Sequence, residues 1–291
     1  MIYIILTVTV SVFLLSIFKL FERYQVNTFH AIIVNYAAAT LTGYLFSENK
    51  IDSDLLAQTS WLYFCLPLGF LFIAIFYLIS LTAQKISIAA ASVANKMSVV
   101  IPVLFSVVFI GEKLSVLKII GIILALIAVY FTNKRKTAEH HSNANLIWLP
   151  ILVFIGSGLI DASINAAKTY LFTLPVHSEL FSIGTFASAF LIGICILVFK
   201  FIKQPKSHFK FETKSLLGGI VLGIPNYFSI FFIIKSLEAN IFNSAQLFPI
   251  LNISNVVLTA IVGYIAFKEK LSAQNLIGVL LAIVSILLIA I

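Results

Sequence analysis

Charge is what this 291-residue chain has least of: Asp, Glu, Lys and Arg make up 10% of it, against about 25% in an ordinary soluble domain. With 61% of residues hydrophobic and a mean hydropathy of +1.09, a soluble globular fold is excluded. Cysteine is nearly missing too. Cys65 and Cys195 are the only two, both inside apolar runs, so neither a disulfide framework nor a metal-ligand spacing is available, and both are expected in core packing. His30, His140, His141, His177 and His208 fall in connections or at run ends, which leaves no zinc site and no intramembrane histidine chemistry. An intramembrane enzyme would need a nucleophile and base at depth, and Gly156-Ser157-Gly158 has no such partner. No Gly-x-x-x-x-Gly-Lys-Ser/Thr loop occurs, so direct ATP coupling is not expected. Val262-Gly263-Tyr264 stands alone inside a run, and no arginine-periodic sensor is present, which argues against a potassium-type or voltage-gated channel. Neither a cofactor nor a nucleic-acid partner is expected.

What the chain has is long apolar runs. Ten occur, at about 2–20, 28–47, 59–82, 87–110, 115–132, 146–170, 178–201, 215–236, 241–266 and 271–291. About 20 residues suffice to cross the hydrocarbon core as a helix, and lipid admits only helices or closed barrels. Hydrophobicity here is continuous rather than alternating, which selects helices. The first run has neither a basic leader nor a small-residue cleavage site and is expected to remain as helix 1. The expected fold is an all-α polytopic membrane protein of ten transmembrane helices.

The chain also repeats itself. Glu112-Lys113-Leu114-Ser115, Ile120-Gly121 and Leu124-Ala125 return 157 residues later as Glu269-Lys270-Leu271-Ser272, Ile277-Gly278 and Leu281-Ala282. Asn95 then aligns with Asn252, and Ser80-Leu81 with Ser236-Leu237 after a one-residue shift. The polar stretch 132–145 divides the chain into residues 1–131 and 146–291, five runs each. Because five is odd, the second half must enter from the opposite face, giving two inverted five-helix repeats, a common carrier architecture. In the repeated turn, Ser115 and Ser272 fit helix N-caps, Glu112 and Glu269 fit interfacial pairing with lysines, and Gly121 and Gly278 fit close helix approach. These roles are structural.

The net charge of +8 has a positional explanation. Connections after odd-numbered runs hold thirteen basic residues, Lys19, Arg23, Lys85, Lys134, Arg135, Lys136, Lys200, Lys203, Lys206, Lys210, Lys214, Lys268 and Lys270. The other face holds five: Lys50, Lys113, Lys118, Lys168 and Lys235. By the positive-inside rule both termini face outward. Trp61, Tyr63 and Trp148 fit interfacial anchors.

Two charges lie at depth. Lys96 sits about 15 Å along the fourth run, and Asp161 sits at comparable depth in the sixth. Such residues cost on the order of 2.5–3.5 kcal/mol to insert and usually face a cavity or each other; a structural ion pair and a solute or proton site are the two readings. Polar residues gather around them: Ser92, Asn95 and Ser98 in the fourth run, Asn243, Gln246, Asn252 and Asn255 in the ninth, Ser157 and Asn165 in the sixth, and Asn226 and Tyr227 in the eighth. Ser92, Asn95 and Lys96 form one helical stripe, and Asn252 and Asn255 another. Gly219 and Gly223 make a small-xxx-small face, while Pro225, Pro102 and Pro249 mark kinks beside the polar residues. Among the aromatics, Tyr77 and Tyr227 are the candidates for a cavity wall.

Gly111-Glu112-Lys113-Leu114 with Gly121, and Glu269-Lys270-Leu271 with Gly278, in a ten-run chain with small-residue-rich fourth and ninth runs, resemble the drug/metabolite transporter superfamily, in particular EamA-type carriers. The resemblance implies a secondary carrier in a lipid bilayer, with a small-molecule solute, a proton or sodium as coupling ion, and a bacterial inner membrane as its home. Many relatives have cytoplasmic termini, opposite to the charge count here. Cationic-drug antiporters of the small multidrug type need a carboxylate in helix 1, and residues 2–18 contain none. The expectation is therefore a carrier of a small polar metabolite, an amino acid or other small anion or zwitterion, with Lys96, Asn95, Asp161, Asn226, Tyr227, Gln246, Asn252 and Asn255 as binding residues and Asp161 as the coupling-ion candidate. The competing readings are a drug or toxic-metabolite exporter, a channel, and a non-transporting scaffold or receptor.

Overall fold

The computed structural model describes residues 1–47, 62–105, 115–133, 146–170, 176–203, 212–239, 241, 244–269 and 272–290. Among these there is no strand. The helices are α1 Ile2–Arg23, α2 Thr28–Phe46, α3 Leu62–Lys85, α4 Ile88–Met97, α5 Val100–Phe105, α6 Val116–Asn133, α7 Trp148–Tyr170, α8 Val176–Lys203, α9 Thr213–Glu238, α10 Ser244–Phe267 and α11 Ala273–Ala290. Seven stretches among the described residues are long and apolar enough to cross a membrane, α4 and α5 counting as one, and Val116–Thr132, Trp148–Ile164 and Ala273–Ile289 are shorter apolar helices. Large apolar side chains such as Leu45, Leu191 and Ile265 are exposed. In water such faces would drive association; against acyl chains they are matched to their solvent.

Helix ends follow local chemistry. Asn27 accepts from the His30 amide at the start of α2, and Ser87 from the Ala90 amide at the start of α4. Ser115 accepts from the Lys118 amide at 3.2 Å, and Ser272 from the Asn275 amide at 3.1 Å, so both repeated serines cap the helices that follow them. Asn275 also accepts from the Ser272 amide, making the exchange reciprocal as in a capping box. After α1, Gln25 takes a left-handed φ of 54° and Val26 N–H returns to the Phe21 carbonyl, a Schellman stop.

The fourth run differs from a plain span, because it is broken at Ser98 and Val99. Pro102 explains the position. It has no N–H to give the carbonyl four residues back, and its ring crowds that carbonyl, which belongs to Ser98. Ile101 N–H serves the Ser98 carbonyl instead, at 2.9 Å. Pro225 and Pro249, by contrast, lie within helices that run on past them. Cys195 is a second difference: it is exposed, while Cys65 is buried.

Two compact units emerge, the first made of Met1–Leu20, Leu78–Asp161 and Ser229–Ile291, the second of Phe21–Tyr77 and Ala162–Phe228. In the first, α6 and α11 form the most extensive helix pair among the described residues. Gly121, near the start of α6, lies against Ile289 at the end of α11: a Cβ there would stand 3.1 Å from the Ile289 amide nitrogen. Gly278, near the start of α11, lies against Thr132 at the end of α6, with the Thr132 nitrogen 2.6 Å from the Cβ position. The helices are thus antiparallel. The two contacts are also equivalents under the 157-residue offset, so the pair has the reciprocity of an isologous interface within one chain. Asn275 fastens it by donating to the Thr132 carbonyl at 2.8 Å. Val93 and Met97 of α4, and Val256 and Ala260 of α10, join the core around this pair.

In the second unit α2 packs on α8. Gly219 and Gly223 of α9 lie directly on the backbone of α2, with the Ala31 carbonyl 2.6 Å and the Asn35 carbonyl 2.5 Å from where side chains would begin. Fully buried Tyr36 donates to the Phe72 carbonyl at 2.8 Å and packs among Phe72, Phe76 and Phe186.

Candidate functional site

The first unit holds most of the polar residues singled out above. Residues 88–94 of α4 are mainly alanine and wholly buried, so neighbouring helices approach closely and α4 is fixed along its length. Its last turn carries Lys96, half-buried, where the negative end of the helix dipole favours a cation. Because the helix stops there, that charge and the terminal carbonyls occupy the interior of a span rather than its edge.

Gly158 positions the opposing group. It lets α7 sit on Ile101 of α5, whose Cβ lies 2.6 Å from where a side chain on Gly158 would start. One turn further on, Asp161 reaches the break, with its Oδ2 3.4 Å from Ser98 Oγ. The Ser98 hydroxyl has one proton, and the Asn95 carbonyl is its nearer acceptor. Lys96 and Asp161 act on each other electrostatically. Asp161 is exposed although it lies past the middle of α7.

Ser92 and Lys96 are one turn apart on α4, and Ser157 and Asp161 one turn apart on α7. Ser92 Oγ, Ser157 Oγ and Asn255 Oδ1 are all buried without a hydrogen-bond partner among the described residues. Buried polar atoms left this way are uncommon, and each calls for an explanation such as a water or a ligand. Asn252 is half-buried and Asn255 buried. Ser98 and Asn255 are equivalents under the 157-residue offset, as are Pro102 and Thr259. Where Pro102 interrupts one helix, Thr259 folds its hydroxyl back onto the Asn255 carbonyl at 2.6 Å and α10 continues.

Asn226 and Tyr227 belong to the second unit. Asn226 Nδ2 donates to Asn35 Oδ1 at 3.2 Å, both residues being buried. Asn35 was not singled out from the sequence, although an amide in the otherwise apolar run 28–47 is the signal that could have found it. Tyr227 stacks edge-on with Phe228 and touches the Gly43 position. Asn226→Leu is expected to lower stability by about 1–2 kcal/mol, because it strands a second polar group of Asn35; Asn35→Leu/Asn226→Leu should cost less than the two single changes added, as thermal unfolding in detergent would show. Glu112 and Asn243 lie outside the described residues, and so do the side chains of Gln246 and Asn165.

An apolar groove of about 330 Å³ between α6 and α7, lined by Leu126, Tyr130, Ile151 and Phe154 among others, presents carbon almost throughout and offers a polar solute nothing to bind.

The fold defines a polytopic integral membrane protein of about ten helices, in contact with the lipid bilayer, whose polar groups lie inside its spans. Residues 1–134 match the EamA-like transporter family. A protein of Haemophilus influenzae described as uncharacterized is 27% identical over 289 residues, 97% of this chain and 94% of that protein. A solved structure, titled only as the crystal structure of a protein, is similar in fold, with a TM-score of 0.57 at 16% identity over 97% of this chain and 94% of that one.

Proposed function

We propose that the protein is a secondary active transporter that moves a small polar metabolite, an amino acid or another small anion or zwitterion, by alternating access between two inverted five-helix repeats, residues 1–131 and 146–291. The reciprocal antiparallel contacts of Gly121 and Gly278 support the inversion. The end of the family match at residue 134, inside the polar linker 132–145, supports the boundary.

The observation that carries the functional reading is the broken fourth span. Discontinuous helices in carriers present charged and backbone groups to solutes near the midplane, and α4 ends with Lys96 beside Ser98 and Asp161. A carboxylate facing hydrocarbon would be costly, so Asp161 inside a span is expected to face a partner or a water-lined cavity. Lys96 receives the solute's carboxylate or phosphate. Asp161 receives an amine or the coupling ion, and Asn95, Asn252 and Asn255 complete the hydrogen bonding. Transport draws on a proton or sodium gradient. The excess of basic residues in odd-numbered connections supports outward termini in a bacterial inner membrane.

A thermal-shift screen in mild detergent against amino acids, organic acids, sugars and nucleotides tests this reading, since a ligand that binds only the folded state raises its melting temperature. One anionic or zwitterionic class should give a concentration-dependent shift and be taken up by proteoliposomes. Lys96→Met should weaken binding of that class by about tenfold or more, the loss expected for a charge-assisted contact. Unchanged affinity for an anionic solute in a folded Lys96→Met protein would remove Lys96 from the site.

A further inference from the structure

Glu269 opens the second copy of the repeated turn, and its carboxyl joins three helices of the first unit. Oε1 accepts from the Ile88 amide, the first of α4, at 3.1 Å. Its own backbone N–H is held by the Gly263 carbonyl of α10 at 3.0 Å, after Lys268 turns the chain with a φ of 52°. Lys19 of α1 attracts it. Lys19 also donates to the Gln84 carbonyl at 3.0 Å, and Gln84 Nε2 donates to the Phe18 carbonyl at 3.0 Å. The ends of α1 and α10 are therefore tied to the start of the short helix that carries Lys96. Oε2 is buried with no hydrogen-bond partner among the described residues. Gly263 stands beside it, 2.6 Å from Oε2 to the place a Cβ would fill.

We propose that Glu269 is a proton-binding latch: it holds the start of α4 closed while Oε2 carries a proton, and opening this end of the unit releases that proton to water. The proposal rests on the carrier reading for its purpose, since alternating access requires α4 to be held and let go. A purely structural carboxylate would be expected to satisfy both oxygens. Here one oxygen binds an amide and the other has no hydrogen-bond partner among the described residues, and leaving an oxygen undonated costs a neutral carboxylic acid less than a charged carboxylate. Among the described residues, the groups facing it are Lys19 from α1, the Ile88 amide from α4 and uncharged Gly263 from α10.

The sign of the pH dependence follows from burial. Burial pushes Glu269 above the ordinary carboxylate range, while the Ile88 amide and Lys19 pull it back only in part. A carboxyl that holds its proton more tightly when latched than in water makes acid favour closure and rising pH favour opening, by at most about tenfold per pH unit for one proton.

A thiol reporter tests this. Ala91, fully buried in α4, is changed to cysteine in a Cys65→Ala/Cys195→Ser background and labelled with a membrane-impermeant reagent in proteoliposomes, from either side. Rates are normalised to Val116→Cys, which is exposed. With Glu269 present, normalised labelling should rise with pH; in Glu269→Gln, which resembles the protonated acid, it should be slow and flat. Equal pH dependence in both overturns the latch. If Glu269→Gln fails to accumulate, Lys19→Met decides: loss of its attraction should move the rise to higher pH, and an unmoved profile overturns the proposal. Uptake without pH-dependent labelling sinks the latch alone, whereas pH-dependent labelling in a protein that moves no solute sinks the carrier reading alone.

Discussion

Gly278→Leu is expected to leave little folded protein in the membrane, and Gly278→Ala to lower the melting temperature clearly more than Gly121→Ala. The two glycines are equivalents, yet what surrounds them differs. At Gly278 the nearest obstacle is the backbone nitrogen of Thr132, 2.6 Å from the Cβ position, with the Ala128 carbonyl 3.1 Å away. Backbone cannot rotate aside, so α6 and α11 must separate, and Asn275 would lose its grip on the Thr132 carbonyl. At Gly121 the closest atom is the side-chain Cγ1 of Ile289 at 2.8 Å, and backbone comes next at 3.1 Å. Part of that conflict can be relieved by a rotamer change. Overpacking of this kind costs about 1–3 kcal/mol for a small increment and more for a large one. Melting curves of the three variants in the same detergent would check the order; equal losses for both alanine variants would mean that the pair adjusts as a rigid body.

Pro102→Ala is expected to raise thermal stability and depress transport. The new N–H would reach the Ser98 carbonyl and allow α4 and α5 to join, as α10 does at the equivalent place. A helix-interior proline costs up to about 3 kcal/mol in water, so a smaller gain of the same sign follows here, where neighbours already accommodate the break. Uptake should fall by about tenfold or more, because the end of α4 would no longer present its dipole and the Lys96 charge inside the span. Stability and uptake measured on one preparation separate the two effects. An active, more stable variant would show the break to be incidental.

The helices were readable because spanning lipid leaves so few options. Runs such as 28–47 and 146–170 reappear as α2 and α7 within a few residues, and Ser115 and Ser272 cap as their sequence position suggests. The break in the fourth run was less legible. Pro102, Pro225 and Pro249 look alike in sequence, and only the partners available to the freed carbonyl decide which helix stops. The candidate site was partly legible: Lys96 and Asp161 stand out as charges at depth, but the contact that seats Asp161 beside Ser98 depends on Gly158 lying against Ile101, a pairing that no local pattern encodes. Asn35 escaped notice for a related reason. One amide in an apolar run gains meaning only when a second amide, Asn226, is found opposite. Glu269 reads in sequence as a turn residue pairing with lysines at the interface, and its contact with the Ile88 amide is a tertiary property that no local pattern encodes.

The pairing of Pro102 with Thr259 leaves this chain without a mirror image of its own working part. Under the proposed mechanism, exchanging the roles of the two halves converts one access state into the other, and a perfectly balanced chain would populate both equally. Among the described residues only the first half carries the interrupted helix, and the residue equivalent to Lys96 is Ile253. On that mechanism the empty protein would have a preferred resting side, and a bound solute or a gradient would have to supply the difference.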